Sequence, residues 1–99
     1  MGQLSFTIVL IVKNDLNLLL CSLLSINHLT YPTNKFEVIV IDDGTTPSLE
    51  NKINTSQFNY NLKIHYLVPT ETSSRAKARN TGAAMASHSH IVFIDGDHF

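Results

Sequence analysis

Phe6-Thr7-Ile8-Val9-Leu10-Ile11-Val12, followed by Lys13-Asn14-Asp15 and then by Leu16, Leu19, Leu20, Leu23 and Leu24, decides the fold class of this chain. The first seven residues form a continuous apolar run rich in β-branched side chains, the pattern of a central strand buried on both faces of a parallel sheet. Asn14 and Asp15 offer side-chain oxygens to the free N–H groups of a helix start, and the leucines after them recur at helical spacing. That helix is expected to end near His28 to Thr30. Tyr31-Pro32-Thr33-Asn34 then reads as a turn, because Pro32 disfavours helix at the residue before it, and Phe36 to Ile41 reads as a second buried strand. Strand, helix, strand is the unit of an α/β domain.

The same alternation continues outward. Asp42-Asp43-Gly44-Thr45-Thr46-Pro47 is a polar loop, and Ser48 to Gln57 is a weak helical candidate. Leu62 to Val68, with Ile64, Tyr66 and Val68 on one side, reads as a third strand nearer a sheet edge. Arg75 to Ser87 is rich in alanine and reads as a helix, capped by Ser73 or Ser74, with Gly82 placed inside it for close packing on the sheet. Ile91 to Ile94 reads as a fourth buried strand running into Asp95-Gly96-Asp97. Alternating strands and helices imply a Rossmann-like parallel sheet with helices on both faces and a ligand crevice at the carboxyl ends of the strands. Asn14, Asp15, Asp42, Asp43, Asp95 and Asp97 all fall at that edge.

Composition narrows the function classes. The chain has 99 residues, room for one domain; 43% are hydrophobic and 15% charged, which suits a packed core rather than a disordered tail. A formal net charge of -1 supplies no positive field for general nucleic-acid binding. The apolar stretch from Leu4 to Leu24 is interrupted by Lys13, Asn14, Asp15 and Asn17, which excludes a transmembrane helix there. No basic residue precedes the run and no cleavage pattern follows it, so it is not read as a secretory signal. The single cysteine, Cys21, is expected to be a buried thiol in a reducing compartment.

Asp95 and Asp97 put two hard oxygen donors on one tight turn, a pattern that suits Mg2+ or Mn2+ together with phosphate oxygens. Asp and Gly are also ordinary turn residues, so the pair alone is weak. Three motifs in order carry more. Val38-Ile39-Val40-Ile41-Asp42-Asp43-Gly44, then Ala78-Arg79-Asn80-Thr81-Gly82-Ala83, then Ile91-Val92-Phe93-Ile94-Asp95-Gly96-Asp97 together resemble the strand-end acidic motif, the Ala-Arg-Asn-x-Gly helix and the Asp-x-Asp strand of family 2 glycosyltransferases. The resemblance covers Phe6 to Phe99 and implies the donor half of a type A glycosyltransferase fold, the nucleotide-diphospho-sugar transferase-like arrangement.

Carried over residue by residue, the resemblance implies that Asp43 accepts a hydrogen bond from the base, usually uracil, and that Asp95 lies near the ribose. It further implies that Asp97, with Asp95, ligates the metal that bridges the diphosphate. Asn14 occupies the position of a family asparagine after the first strand, and Lys13 stands where the family has an aromatic that stacks on the base. Arg79 matches the helix motif; Arg75 and Lys77 lie beside it in the first turns, where a helix already favours anions. The implied activity is inverting transfer from a nucleoside diphosphate sugar, UDP-linked, to an unknown acceptor.

The resemblance assigns no catalytic base to residues 1–99. That role is expected of an acceptor half absent from this sequence, so the chain alone is expected to transfer sugar poorly or not at all. A cytoplasmic location follows, at the face of a membrane if a missing region provides the attachment. A non-catalytic binding or assembly module is the alternative, with an exposed apolar face that would drive dimerisation. Two other readings fall away. A receiver-like domain would need a further central aspartate and a later lysine. A zinc site at His88, His90 and His98 would span both ends of one strand.

Overall fold

The computed structural model describes residues 4–13, 15–44, 53–67 and 75–95, with the backbone alone described at Arg75 and Asp95. Four strands, β1 (Phe6–Val12), β2 (Phe36–Asp43), β3 (Asn61–Leu67) and β4 (Ile91–Asp95), form one sheet in the order β3-β2-β1-β4. All three pairings are parallel. β1 lies inside the sheet, as its unbroken apolar run predicts, and residues Thr7 to Val12 are buried throughout.

Helix α1 (Leu16–Asn27) connects β1 to β2, and helix α2 (Arg75–Met85) precedes β4. Asp15 caps α1, its Oδ1 accepting from the Leu18 N–H at 2.9 Å. The helix ends at Asn27 with His28 as C-cap. Because side chains alternate across a strand, each face of the sheet collects one parity of residues. Ile8, Leu10, Val12, Val38 and Val40 pack with Leu19, Leu23 and Ile26 of α1. Val9, Ile11, Ile39 and Ile41 pack with Ala78 of α2 on the other face. The helices therefore cover opposite faces of the sheet.

Gly82 is the contact that lets α2 sit close. A Cβ built there would fall well inside contact distance of Val9 Cγ1 and 3.2 Å from its Cγ2. The sequence expectation of close packing at this glycine holds, and the residue beneath it is Val9 at the middle of β1.

Four expectations need correction. Cys21 is exposed rather than buried. The buried stripe of α1 is Leu19, Ser22, Leu23 and Ile26, and at 3.6 residues per turn Cys21 falls on the opposite side. Leu24, read into the apolar stripe, is likewise exposed. Strand β4 is not buried: Val92 and Phe93 are 48% and 43% exposed. It pairs with β1 on one side, and among the described residues no strand covers its other edge. In the weak helical candidate Ser48 to Gln57, the described part contains only a 3-10 turn, Thr55–Gln57, with Asn54 bonding the Ser56 N–H at 3.1 Å. The remainder, like the Ser73 or Ser74 cap, lies outside the described residues.

The amino end of the sheet is tied by aromatic rings and one buried carboxylate. Phe6 stacks on Phe36 at 5.6 Å, Phe36 meets Tyr60 at 5.6 Å, and Tyr60 meets Phe58 at 5.7 Å. The Tyr60 hydroxyl donates to the Leu23 carbonyl at 2.8 Å, and burial pushes its pKa up to about 12. No helix among the described residues is long and apolar enough to cross a membrane.

Candidate functional site at the carboxyl edge of the sheet

The chain moves from β1 outward to β2 and β3, then returns to place β4 on the other side of β1. That reversal makes the carboxyl ends of β1 and β4 a topological switch point, where open α/β sheets hold ligands. The register fixes what gathers there. Val12 is level with Asp42 on β2, and Ile11 is level with Asp95 on β4.

Asp42 and Asp43 close β2 but point to different environments, as adjacent strand residues must. Asp42 continues the Val38 and Val40 side and is fully buried. Asp43 continues the Ile39 and Ile41 side, is half-buried, and pairs in register with Leu67 of β3. The Gly44 N–H then donates back to the Asp42 carbonyl at 2.9 Å, a three-residue turn with Asp43 at its centre. Gly44 has φ 87°, a conformation that L side chains rarely adopt, so glycine is the residue this turn needs. Among the described residues the Asp43 carboxylate has no hydrogen-bond or ion-pair partner.

The other half of the edge comes from β4 and α2. Asp95 is the last residue of β4. With two strand spacings and two residues of stagger between them, Asp43 and Asp95 have Cα atoms roughly 12 Å apart. Arg75 opens α2, and Arg79 lies one turn further in, exposed. The Arg79 Cζ stands 6.0 Å from the ring centroid of Phe93, so α2 leans this cation over β4. Asn14 and Asp97 lie outside the described residues. Asp43 and Asp95 therefore both end strands at the carboxyl edge, whereas Arg79 stands over Phe93, which is level with Val9 at the middle of β1.

His88 and His90 stand at the other end of β4, where the His90 carbonyl accepts from the Thr7 N–H at 2.8 Å. His98, the third residue of the zinc reading, lies outside the described residues. A groove of about 690 Å³ runs on the β3 flank of α2, past His65, Lys77, Asn80 and Thr81. A smaller apolar one of about 260 Å³ lies between α1 and Ile94. Neither encloses Asp43 or Arg79.

The sequence reading missed a second polar cluster, at the amino end. Glu37 is 2% exposed. It accepts from Thr7 Oγ1 at 2.7 Å, from the Ser87 N–H at 2.5 Å and from Ser87 Oγ at 3.3 Å. Lys63 Nζ is 3.9 Å away. Burial raises the carboxyl pKa, but the Ser87 and Thr7 hydrogen bonds and the Lys63 charge outweigh it and hold the group below 4.5. A charged residue between Phe36 and Val38 in an apolar run was the available signal, because such a group stays buried only with partners. Phe93 beneath Arg79 was also missed.

Comparison with known proteins agrees with this geometry. Residues 7–99 match the family model described as glycosyl transferase family 2. Glycosyltransferase AglE of Haloferax volcanii is 29% identical over 94 residues, 92% of this chain and 30% of that protein. The amylovoran biosynthesis glycosyltransferase AmsB of Erwinia amylovora is 28% identical over 98 residues, 98% of this chain and 32% of that protein. Among solved structures, Staphylococcus aureus TarS 1-349 superposes with a TM-score of 0.80 at 26% identity, covering 95% of this chain and 28% of that one. The same TarS fragment in complex with UDP-GlcNAc gives a TM-score of 0.76, covering 95% and 27%. The chain thus spans about 30% of the length of the relatives it matches. Its parallel sheet with a helix on each face is the nucleotide-diphospho-sugar transferase-like fold. With the acidic strand ends at the switch point, and a family model matching almost end to end, the chain belongs to glycosyl transferase family 2.

Proposed function

We propose that residues 1–99 form the donor-binding half of an inverting glycosyltransferase that takes a sugar from a UDP-linked donor. The observation that carries this reading is the carboxylate of Asp43, half-buried on a glycine turn at the switch point with no partner among the described residues. A half-buried acceptor without a protein donor is suited to a ligand N–H. In this reading Asp43 accepts from the base, and Asn14 and Asp95 are assigned to the same nucleotide, Asp95 to its ribose. Arg79, with Arg75 beside it, supplies positive charge to the diphosphate. The UDP-GlcNAc complex of the TarS relative supports the choice of nucleotide.

Asp97 and Asp95 would hold Mg2+ or Mn2+. The donor set fits a hard cation, since this edge offers carboxylate oxygens, while His88 and His90 stand at the far end of β4. When bound, the metal offsets charge on the departing nucleoside diphosphate. The protein's own work is to bind and orient the nucleotide: Asp43 reads the base, and Arg79 and Arg75 hold the phosphates. The general base that deprotonates the acceptor comes from an acceptor half outside these residues, in keeping with relatives about three times as long. These 99 residues therefore bind donor but transfer sugar poorly. A cytoplasmic setting belongs to the same reading.

A second reading, a binding or assembly module that keeps the fold without the chemistry, draws on the exposed apolar β4, where Val92 and Phe93 leave a surface for a packing neighbour. Calorimetric titration with UDP and Mn2+ separates the two. Saturable heat in the wild type, weakened at least about tenfold in Asp97→Ala, is the expected result for a charge-dependent site. No heat in the wild type, or unchanged binding after Asp97→Ala, would leave the assembly reading in place of the donor site.

A further inference from the structure

Arg79 is exposed on α2, and among the described residues no carboxylate pairs with it. What it meets is a ring: its Cζ lies 6.0 Å from the centroid of Phe93. Phe93 is itself an oddity, a large apolar side chain 43% exposed on a strand whose other edge is uncovered among the described residues. Each residue is poorly placed alone and well placed by the other. The ring's electron-rich face attracts the guanidinium, and the guanidinium covers part of the ring.

The geometry points to Phe93 as a positioning residue for donor binding, one that holds Arg79 in readiness for the anionic part of the nucleotide. This inference rests on the donor-site reading above and adds a residue to it. A flexible arginine side chain loses rotamer entropy when its head group is fixed on an anion. A ring that already confines the guanidinium removes some of that loss before the ligand arrives. It does so without taking the N–H donors, because a π-face is not a competing carboxylate. Phe93 also lies two residues before Asp95 on β4, so a single strand fixes the cation's platform and the acidic end of the site.

The test is a double-mutant cycle read by UDP titration in Mn2+, on wild type, Phe93→Leu, Phe93→Tyr, Arg79→Ala and the Arg79→Ala/Phe93→Leu pair. Leucine keeps an apolar side chain but has no π-face, and tyrosine keeps the face. Phe93→Leu is expected to weaken UDP about two- to fivefold, the range of an exposed cation–π contact. Phe93→Tyr should bind as wild type does. In the Arg79→Ala background the Phe93→Leu change should have no further effect, since Phe93 acts only through the guanidinium. Wild-type affinity in Phe93→Leu, or a loss that persists undiminished without Arg79, overturns the inference while leaving the donor site intact. Failure of the wild type to bind UDP overturns the donor site, and with it any role for Phe93 in serving it. Thermal melting of each variant checks that the fold is retained, and equal weakening by Leu and Tyr would mark a packing role and also overturn the proposal.

Discussion

Glu37 and Asp43 lie on the same strand and on the same face of the sheet, six positions apart, and the protein treats them in opposite ways. Glu37 at the amino end is almost wholly buried and takes hydrogen bonds from Thr7 and Ser87, with Lys63 nearby. Asp43 at the carboxyl end is half-buried and partnerless among the described residues. The aromatic rings of Phe6, Phe36, Phe58 and Tyr60 add to the first end, whereas the second ends in a turn that needs glycine. One end of the sheet spends its polar chemistry on holding the fold. The other leaves the Asp43 carboxylate without a partner among the described residues, which is what the proposed donor site requires.

The largest effect should come from disturbing the amino end. Glu37→Ala leaves the buried Thr7 hydroxyl and the part-buried Ser87 N–H without acceptors, and the loss is expected to be about 3 kcal/mol. For a domain of this size that lowers Tm by more than about 10 °C, measurable by circular dichroism. The pH dependence has a definite sign. The folded pKa of Glu37 is held below 4.5, so its contribution is present above the unfolded value and is lost as pH falls through the folded one. Acid titration of stability should therefore flatten on Glu37→Gln. An unchanged acid limb would show that Glu37 is no clamp, and the contrast between the two ends would lose its first half.

A smaller effect is expected midway, at Gly82. Replacing it by alanine gains about 1 kcal/mol in helix propensity but drives a methyl into Val9, an overpacking cost of about 1–3 kcal/mol in a filled core. Overpacking wins, for a net loss on the order of 1 kcal/mol. Denaturant unfolding of Gly82→Ala, Val9→Ala and the pair checks the cause, since the double variant should lose less than the two single losses added together. Simple addition would mean that α2 shifts freely on β1, and that the position of Arg79 is not set by this contact.

What the sequence disclosed follows the range of the interactions involved. The central place of β1, the Asp15 cap and the close approach at Gly82 depend on local pattern, and all three hold. Element order alone sends the ends of β2 and β4, and with them Asp43 and Asp95, to one edge of the sheet. Cys21 was misplaced because a leucine-rich helix fixes its buried stripe only when it meets the sheet. β4 was read as buried because Ile91 to Ile94 has the same apolar signature at an edge as in the middle. The Glu37 network joins residues 30 and 50 positions apart, so the charge inside an apolar run marks Glu37 but not its partners, and Phe93 meets Arg79 only through tertiary packing.

The smallest expected effect on stability is at Asp43, and there the comparison is sharpest. If the carboxylate contributes nothing to the fold, Asp43→Asn should change unfolding free energy by less than about 0.5 kcal/mol, as substitutions away from packed or paired groups do. The same change turns one acceptor oxygen into an N–H2 donor, which faces the base N–H with the wrong polarity. UDP affinity should then fall by about tenfold or more, the cost of leaving a buried donor unpaired. Glu37→Gln provides the mirror measurement: lower stability, with UDP affinity unchanged in the fraction that remains folded. Denaturation and titration of both variants in one buffer would decide it. If Asp43→Asn instead destabilised the chain as much as Glu37→Gln while sparing UDP binding, the carboxyl edge would be a second structural clamp, and its open carboxylate would need an intramolecular partner.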